Sequence, residues 1–321
     1  MAGSKQSAVI FNINLRTGPL AWIAVVVFAA AIHAMPVAEA QTFTVLHSFS
    51  DKGDGGFPYA GVNLIVGNLY GTTSEGGQYG SGTVYELKHR GSSWTLSTLY
   101  NFTGGSDGAY PYGRVTAGPG GILYGTTAAG GDGFGTVFTL RLPATACHTA
   151  ICPWIETVLY RFQGGSDGAY PEYADDLVFD QAGNIYGTTS GDTNGDDGTV
   201  FELSPSNGGW TETILHHFTN GEQPFAGVIF DAAGNLYGTT PVGGIGYGTV
   251  FTEGPSNFGL VFKLTPSGGG WTETNLTLFG VGNNDGIFPY SSVILDASGN
   301  VYGTTIQGGS ESDGTVWEIT P

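Results

Sequence analysis

One phrase, Tyr-Gly-Thr-Thr, occurs five times in this chain, at 70–73, 124–127, 186–189, 237–240 and 302–305. A repeat of this kind constrains the fold more than any other feature, because each copy is one supersecondary unit that must bury its faces against its neighbours. Each copy also carries a second phrase after a Gly-rich stretch: GTVYEL from Gly82, GTVFTL from Gly135, GTVFEL from Gly198, GLVFKL from Gly259 and GTVWEI from Gly314. In the fourth copy an earlier GTVF at Gly248 competes for that place. The text after Gly259 (TPSGGGWTET) parallels the text after Gly198 (SPSNGGWTET), so residues 243–258 read as an insertion.

Two further phrases complete the unit. One runs from Trp to Phe: WTLSTLYNF from Trp94, WIETVLYRF from Trp154, WTETILHHF from Trp210 and WTETNLTLF from Trp271. The other is a loop, Asp-Gly-x-aromatic-Pro, at 54–58, 107–111, 167–171 and 285–289, degraded to GEQPF at 221–225. An apolar strand such as LVFD follows it, and a D-x-x-G-N turn then leads to Tyr-Gly-Thr-Thr, Gly and Asn supplying the positive φ of a tight hairpin. Each unit therefore has four strands: a (LVFD type), b (NLYGTT type), c (GTVFEL type) and d (WTETxLxxF type).

With 56 glycines and many aromatic and β-branched residues, the chain favours short strands and tight turns. After residue 40 no helical spacing of apolar residues is sustained. The expected fold is all-β: a five-bladed β-propeller of four-stranded blades, one domain over 41–321. The ends favour a ring over an open solenoid. TFTVLHSF at 42–49 reads as a d strand, Leu46 and Phe49 matching Leu215 and Phe218, while the chain stops after a c strand at GTVWEITP. An N-terminal strand completing the last blade would remove an open edge.

Residues 1–40 read as a signal peptide, with Lys5 and Arg16 before the apolar run Leu20–Met35 and Ala38-Glu39-Ala40 as the cleavage pattern. The competing reading is a retained anchor, but the run is short for a span. Export follows: secreted, periplasmic or cell-surface residence, with no membrane span after cleavage. Without the leader, which holds two of nine basic and one of 27 acidic residues, the net charge is −19. That excludes nucleic acid and anionic lipid as favoured partners. Cys147 and Cys152 in CHTAIC read as a disulfide closing one loop, since a metal would need more ligands than His148 adds. A monomer without cofactor or metal is expected.

Strand order puts the d-to-a and b-to-c loops on one face and, with strand a innermost, the Asp-Gly-x-aromatic-Pro loops at the channel mouth. Asp54, Phe57, Asp107, Tyr110, Asp167, Tyr170, Phe225, Asp285 and Phe288 are the candidate ligand-binding residues, aromatic faces and carboxylates suiting a glycan or protein. Glu172, Asp175 and Asp176 in PEYADD break the repeat and are the candidate catalytic carboxylates of a polysaccharide-active enzyme, hydrolase or lyase. The plainer reading makes the recurring loop a structural turn, the tryptophans inter-blade packing and the Tyr-Gly glycines sites of close approach. A non-catalytic binding or scaffold protein is favoured over the enzyme.

The pattern GNLYGTTxxGGxxxxGTVFEL with an upstream Asp-Gly-aromatic-Pro loop resembles the GloVer tandem repeat of exported bacterial "choice-of-anchor" proteins, over essentially all of 41–321. The resemblance implies a secreted or surface repeat protein without an assigned activity. Members often carry a C-terminal sorting segment, whereas this chain ends in the repeat at Pro321.

Overall fold

The computed structural model describes residues 42–143, 153–171, 176–191, 197–219, 221–243, 258–282 and 284–321. The segment 1–40, Cys147 and Cys152, Glu172 and Asp175, and nearly all of the 243–258 insertion lie outside the described residues.

The fold is a five-bladed β-propeller, and its strands fall where the repeat phrases place them. Blade 1 comprises Asn63–Ile65, Asn68–Thr73, Thr83–Arg90 and Ser93–Asn101, hydrogen-bonded in that order as an antiparallel sheet. Blade 2 (Thr116–Ala117, Leu123–Thr127, Thr136–Arg141, Ile155–Arg161), blade 3 (Val178–Phe179, Ile185–Thr189, Thr199–Ser206, Gly209–His217) and blade 4 (Ile229–Phe230, Leu236–Thr240, Leu260–Ser267, Gly270–Leu278) repeat that order. The c strand of blade 4 begins at Leu260, so Gly259 holds the repeat position and the earlier GTVF does not. Every c–d pair carries a bulge after its valine, at Val84/Tyr85, Val137/Phe138, Val200/Phe201 and Val261/Phe262. One bulge per blade bends the strand and raises its twist at the same level each time.

The glycine of Tyr-Gly-Thr-Thr makes room for the aromatic of the c strand. A Cβ on Gly125 would stand 2.7 Å from the Phe138 ring, and one on Gly187 2.7 Å from the ring of Phe201. The two threonines have separate tasks. The second bonds to the threonine of the c strand, as in Thr73–Thr83 and Thr127–Thr136 at 2.8 Å. The first crosses to the next blade, donating from Thr72 to Gly113 O, Thr126 to Pro171 O, Thr188 to Ala226 O and Thr239 to Ser291 O at 2.9–3.2 Å.

The core is four apolar clusters, one at each junction from blade 1/2 to blade 4/5. Trp154, Trp210 and Trp271 pack against them from the outer strands, as expected, whereas Trp94 lies on His89 of its own blade.

Blade 5 departs from the expectation. Its sheet has three strands, Ile294–Leu295, Val301–Thr305 and Thr315–Ile319. Residues 42–50, expected to complete it, form no strand. Phe49 is instead held from the blade 1 side, its ring 5.0 Å from that of Tyr85.

Candidate functional site

The Asp-Gly-x-aromatic-Pro loop is an inter-blade clasp, and each of its residues has a partner in that task. The aspartates cap the turn after the d strand. Asp54 accepts from the Ser50 amide and hydroxyl and pairs with His47 at 3.1 Å; the Ser50 hydroxyl contributes most to holding its carboxyl down at about 2. At Asp107 burial works against ionisation, but bonds from Thr103 and Tyr100 outweigh it and the carboxyl stays below the usual range. Asp167 accepts from the Gln163 amide and the Tyr160 hydroxyl, and Asp285 from the Gly282 amide. The following glycine is obligatory at two of these loops on both counts: Gly108 and Gly168 have positive φ, and a Cβ there would meet Thr127 Oγ1 at 2.3 Å and Thr189 Oγ1 at 2.6 Å.

The aromatic residue is itself left-handed in four of the five copies: Phe57, Tyr110, Tyr170 and Phe288 have φ between 53° and 61°. Such a backbone is costly for a bulky residue and persists only where its surroundings hold it. Here they do. The amides of Tyr110, Tyr170 and Phe288 donate to Ser81 O, Phe134 O and Phe258 O of the preceding blade, and their carbonyls accept from Ala128, Ser190 and Ile306 of their own. The proline then packs on a glycine of the preceding blade, Pro111 on Gly82, Pro171 on Gly135, Pro224 on Gly198 and Pro289 on Gly259. These contacts join the d-to-a loop of one blade to the b-to-c loop before it, so the two loop classes share a face as strand order requires. The rings project beyond the clasp: Phe57 is 53% and Tyr110 41% exposed, while Tyr170, Phe225 and Phe288 are half-buried.

A cavity of about 600 Å³ lies along the first strands of blades 1–4. Its wall is Asn63–Ile65, Thr116, Ala117, Leu177, Val178, Phe179 and Phe230, with Asp176 as its charged group. None of the five clasp aromatics lines it. Asp176 accepts from the Arg114 guanidinium at 2.5 Å and from Thr116 Oγ1 at 3.3 Å. Aligned on the apolar residue that follows (Val62, Val115, Leu177, Val228, Val293), Arg114 and Asp176 occupy one repeat position, where the other blades have Gly61, Gly227 and Ser292; the stretch from Pro171 to Leu177 is two residues longer than its counterparts. An arginine and an aspartate therefore replace small residues in adjacent blades and meet across the junction. Asp176 was visible in the sequence as a departure from the repeat; Arg114 was not singled out, and superposing the starts of the five a strands would have found it.

A second set of carboxylates was also missed. Glu156, Glu212 and Glu273 occupy the same position of successive d strands, each with one buried Oε1 that lacks a hydrogen-bond partner. Burial, with the charge of Asp107 adding, pushes Glu156 up to about 7; burial and Asp167 push Glu212 up to about 8. Burial raises Glu273, and burial with Glu273 nearby raises Glu222 to about 7. Among the described residues no cluster of three or more His, Cys, Asp or Glu is placed to hold a metal ion.

Three solved structures align with the chain at low identity. A Thermus thermophilus protein assigned as an oxidoreductase (glucose dehydrogenase) aligns at TM-score 0.44 and 17% identity, over 81% of this chain and 83% of its own. A thermostable family-43 glycoside hydrolase gives 0.40 and 15%, over 82% and 88%. An α-L-arabinofuranosidase from Clostridium thermocellum gives 0.39 and 13%, over 76% and 80%. No curated protein matches. The repeat phrases that build the clasp and the blades lie within and beyond residues 26–251, which match the model of the Gloeobacter/Verrucomicrobia repeat, and the chain belongs to that family.

Proposed function

We propose that the protein is an exported, non-catalytic binding propeller whose axial cavity takes the end of an extracellular glycan or a protein segment. The observation that supports this reading is Asp176 on the wall of a cavity of about 600 Å³, held there by Arg114, which does not line it, and by Thr116, which does. That size lies within the range of small-ligand sites, which combine apolar walls with a few convergent polar groups. Phe179 and Phe230 offer apolar surface for a sugar face, and Thr116 and Asp176 offer bonds to hydroxyls. The exposed rings of Phe57 and Tyr110 extend the surface at the clasp face.

Asp176 is engaged by Arg114 and Thr116, which suits a positioning pair better than a general acid. The test is binding to a glycan array and to a panel of exported peptides by the wild type and by an Arg114→Ala/Asp176→Ala variant. The folded double variant is expected to lose at least about tenfold in affinity, as for removal of two polar contacts. Undiminished binding would remove the cavity from the reading. Glycan cleavage that disappears in Glu172→Gln/Asp175→Asn/Asp176→Asn would replace the binding function by catalysis.

A further inference from the structure

Four junctions between consecutive blades are built alike. At each, a c-strand valine (Val84, Val137, Val200, Val261) is fully buried and stands opposite a d-strand residue (Tyr100, Tyr160, His216, Thr277). The phenylalanine that ends the d strand donates its amide to the glycine before the c strand: Phe102 to Gly82, Phe162 to Gly135, Phe218 to Gly198 and Phe279 to Gly259, at 2.9–3.0 Å. Its ring then meets the c-strand aromatic of the next blade, at 5.0 Å for Phe102–Phe138, 5.2 Å for Phe162–Phe201, 5.1 Å for Phe218–Phe262 and 5.6 Å for Phe279–Trp317.

The chain also carries both halves of a fifth such junction, and the described residues do not join them. Blade 5 presents the first half. Val316 is 83% exposed where its four counterparts are fully buried, Ile294 is 68% exposed, and among the described residues the c strand Thr315–Ile319 pairs with no fourth strand. Thr304 stands at the position from which Thr72, Thr126, Thr188 and Thr239 bond to the next blade, but its partner is Ser291 of its own blade. Blade 1 presents the second half. Phe49 lies on Tyr85 at 5.0 Å, His47 stands edge-on to Phe49 at 4.8 Å as Tyr100 does to Phe102 at 5.1 Å, and His47 pairs with Asp54 as Tyr100 does with Asp107. Leu46–Phe49 is thus the closing end of a d strand, seated on blade 1 with no c strand to pair with. Leu64 of blade 1, 69% exposed, corresponds to Phe179 and Phe230, which pack into the intact junctions.

We propose that blade 5 of one copy docks on blade 1 of a second copy, and that Leu46–Phe49 of the second copy takes the d-strand place beside Thr315 and Val316 of the first. The four intact junctions fix the register: Val316 opposite His47, Thr315 opposite Ser48, and the Phe49 amide donating to Gly314 O. A second copy is the occupant because it carries a surface that matches blade 5 position by position, while the chain's own two halves leave each other uncovered, with Val316 on one and Leu64 on the other exposed. The two surfaces are different, so the contact is head-to-tail and joins copies in series or in a ring. It covers an edge that would otherwise template unspecific strand pairing.

The test uses the full chain with Cys147→Ser and Cys152→Ser, carrying either His47→Cys or Val316→Cys, both at exposed or half-buried sites. Mixing the two single-cysteine proteins under mild oxidation is expected to give a mixed disulfide, lost when Leu142→Cys replaces Val316→Cys. Light scattering of the unmodified chain is expected to show a mass that rises with concentration, and Val316→Asp to return it to one copy. Absence of the mixed disulfide overturns the proposal. So does a His47→Cys/Val316→Cys protein that cross-links only within itself at one-copy mass, because the two halves then meet inside a single chain.

Discussion

The clasp loops and the wall of the axial cavity are adjacent stretches of the same five repeats, yet they treat the repeat in opposite ways. In the clasp, aspartate, glycine, left-handed aromatic and proline recur in four of the five copies, and the aromatic makes the same backbone bonds at the junctions of blades 1/2, 2/3 and 4/5. On the wall, only a few residues further along, one position holds Gly61, Arg114, Asp176, Gly227 and Ser292. A residue that recurs at every junction is held there by what every junction needs. A residue that appears in one blade answers to something that occurs once. The contrast marks the clasp as scaffold and, under the proposed binding function, leaves recognition to the wall; it can be broken at either end.

The largest effect is expected from the clasp glycine. Gly168→Ala puts a Cβ 2.6 Å from Thr189 Oγ1 and 2.9 Å from Thr199 Oγ1, on a backbone with φ of 83°. Overpacking and left-handed strain add, and a loss of about 2–4 kcal/mol in urea unfolding is expected. A loss below about 1 kcal/mol would mean that the loop gives way easily and is no clasp.

Next comes the thread between blades. Thr188 is buried and donates to Ala226 O at 2.9 Å. Thr188→Val keeps the shape and orphans that carbonyl, so a loss of about 1–2 kcal/mol is expected from the same unfolding experiment. The corresponding change at Thr304, which makes no bond to another blade, should cost much less.

Most of the scaffold could be read before any coordinates, because its physics is local and recurs five times. Gly125 beside Phe138 follows from a strand glycine in register with an aromatic, and Asp180 and Asp231 holding Asn184 and Asn235 follow from a hairpin turn that needs positive φ. What escaped depends on partners far apart in sequence. Arg114 meets Asp176 across 62 positions, and Glu212 meets Asp167 and Tyr160 only once two blades are stacked. The strand pattern at 42–49 was legible, but a sequence pattern states which strand a segment can be and not which edge it finds. The five aromatics pointed to a ligand surface because rings in loops usually do; the left-handed backbones of Phe57, Tyr110, Tyr170 and Phe288 give their recurrence a structural reason as well.

A smaller effect separates the outer carboxylates from the clasp aspartates. Glu156 and Glu212, raised to about 7 and 8, bind a proton more tightly when folded than when unfolded. Their contribution is complete below the ordinary glutamate value of 4.5 and is lost as pH rises through 7 and 8. Asp54 and Asp107, lowered, contribute in the opposite sense, fully above the ordinary aspartate value and less as pH falls through their own. Between about pH 5 and 8 Glu222 and Glu273, also raised by burial, act in the same sense, while His216, lowered by burial, opposes them. The melting temperature is expected to fall by on the order of 4 °C over that interval. In Glu156→Gln/Glu212→Gln, whose amides stand in for protonated acids, the slope should flatten. An unchanged slope would place the titration elsewhere.

The smallest stability effect is expected at the wall, and its smallness is what separates wall from clasp. Arg114 and Asp176 are each about one-third exposed, with side-chain values of 32% and 34%. Pairs at such exposure contribute about 0–1 kcal/mol, because solvent screens the charges and two side chains must be ordered. Removing both in Arg114→Ala/Asp176→Ala leaves neither charge orphaned, so unfolding should change by less than about 1 kcal/mol. Asp176→Ala alone leaves Arg114 without that carboxylate and should cost more than the double change. If the double variant instead loses as much as Gly168→Ala, the ion pair is a structural bolt between blades 2 and 3. The wall would then belong with the clasp, and the one departure from the repeat would be a local repair of the scaffold rather than a mark of recognition.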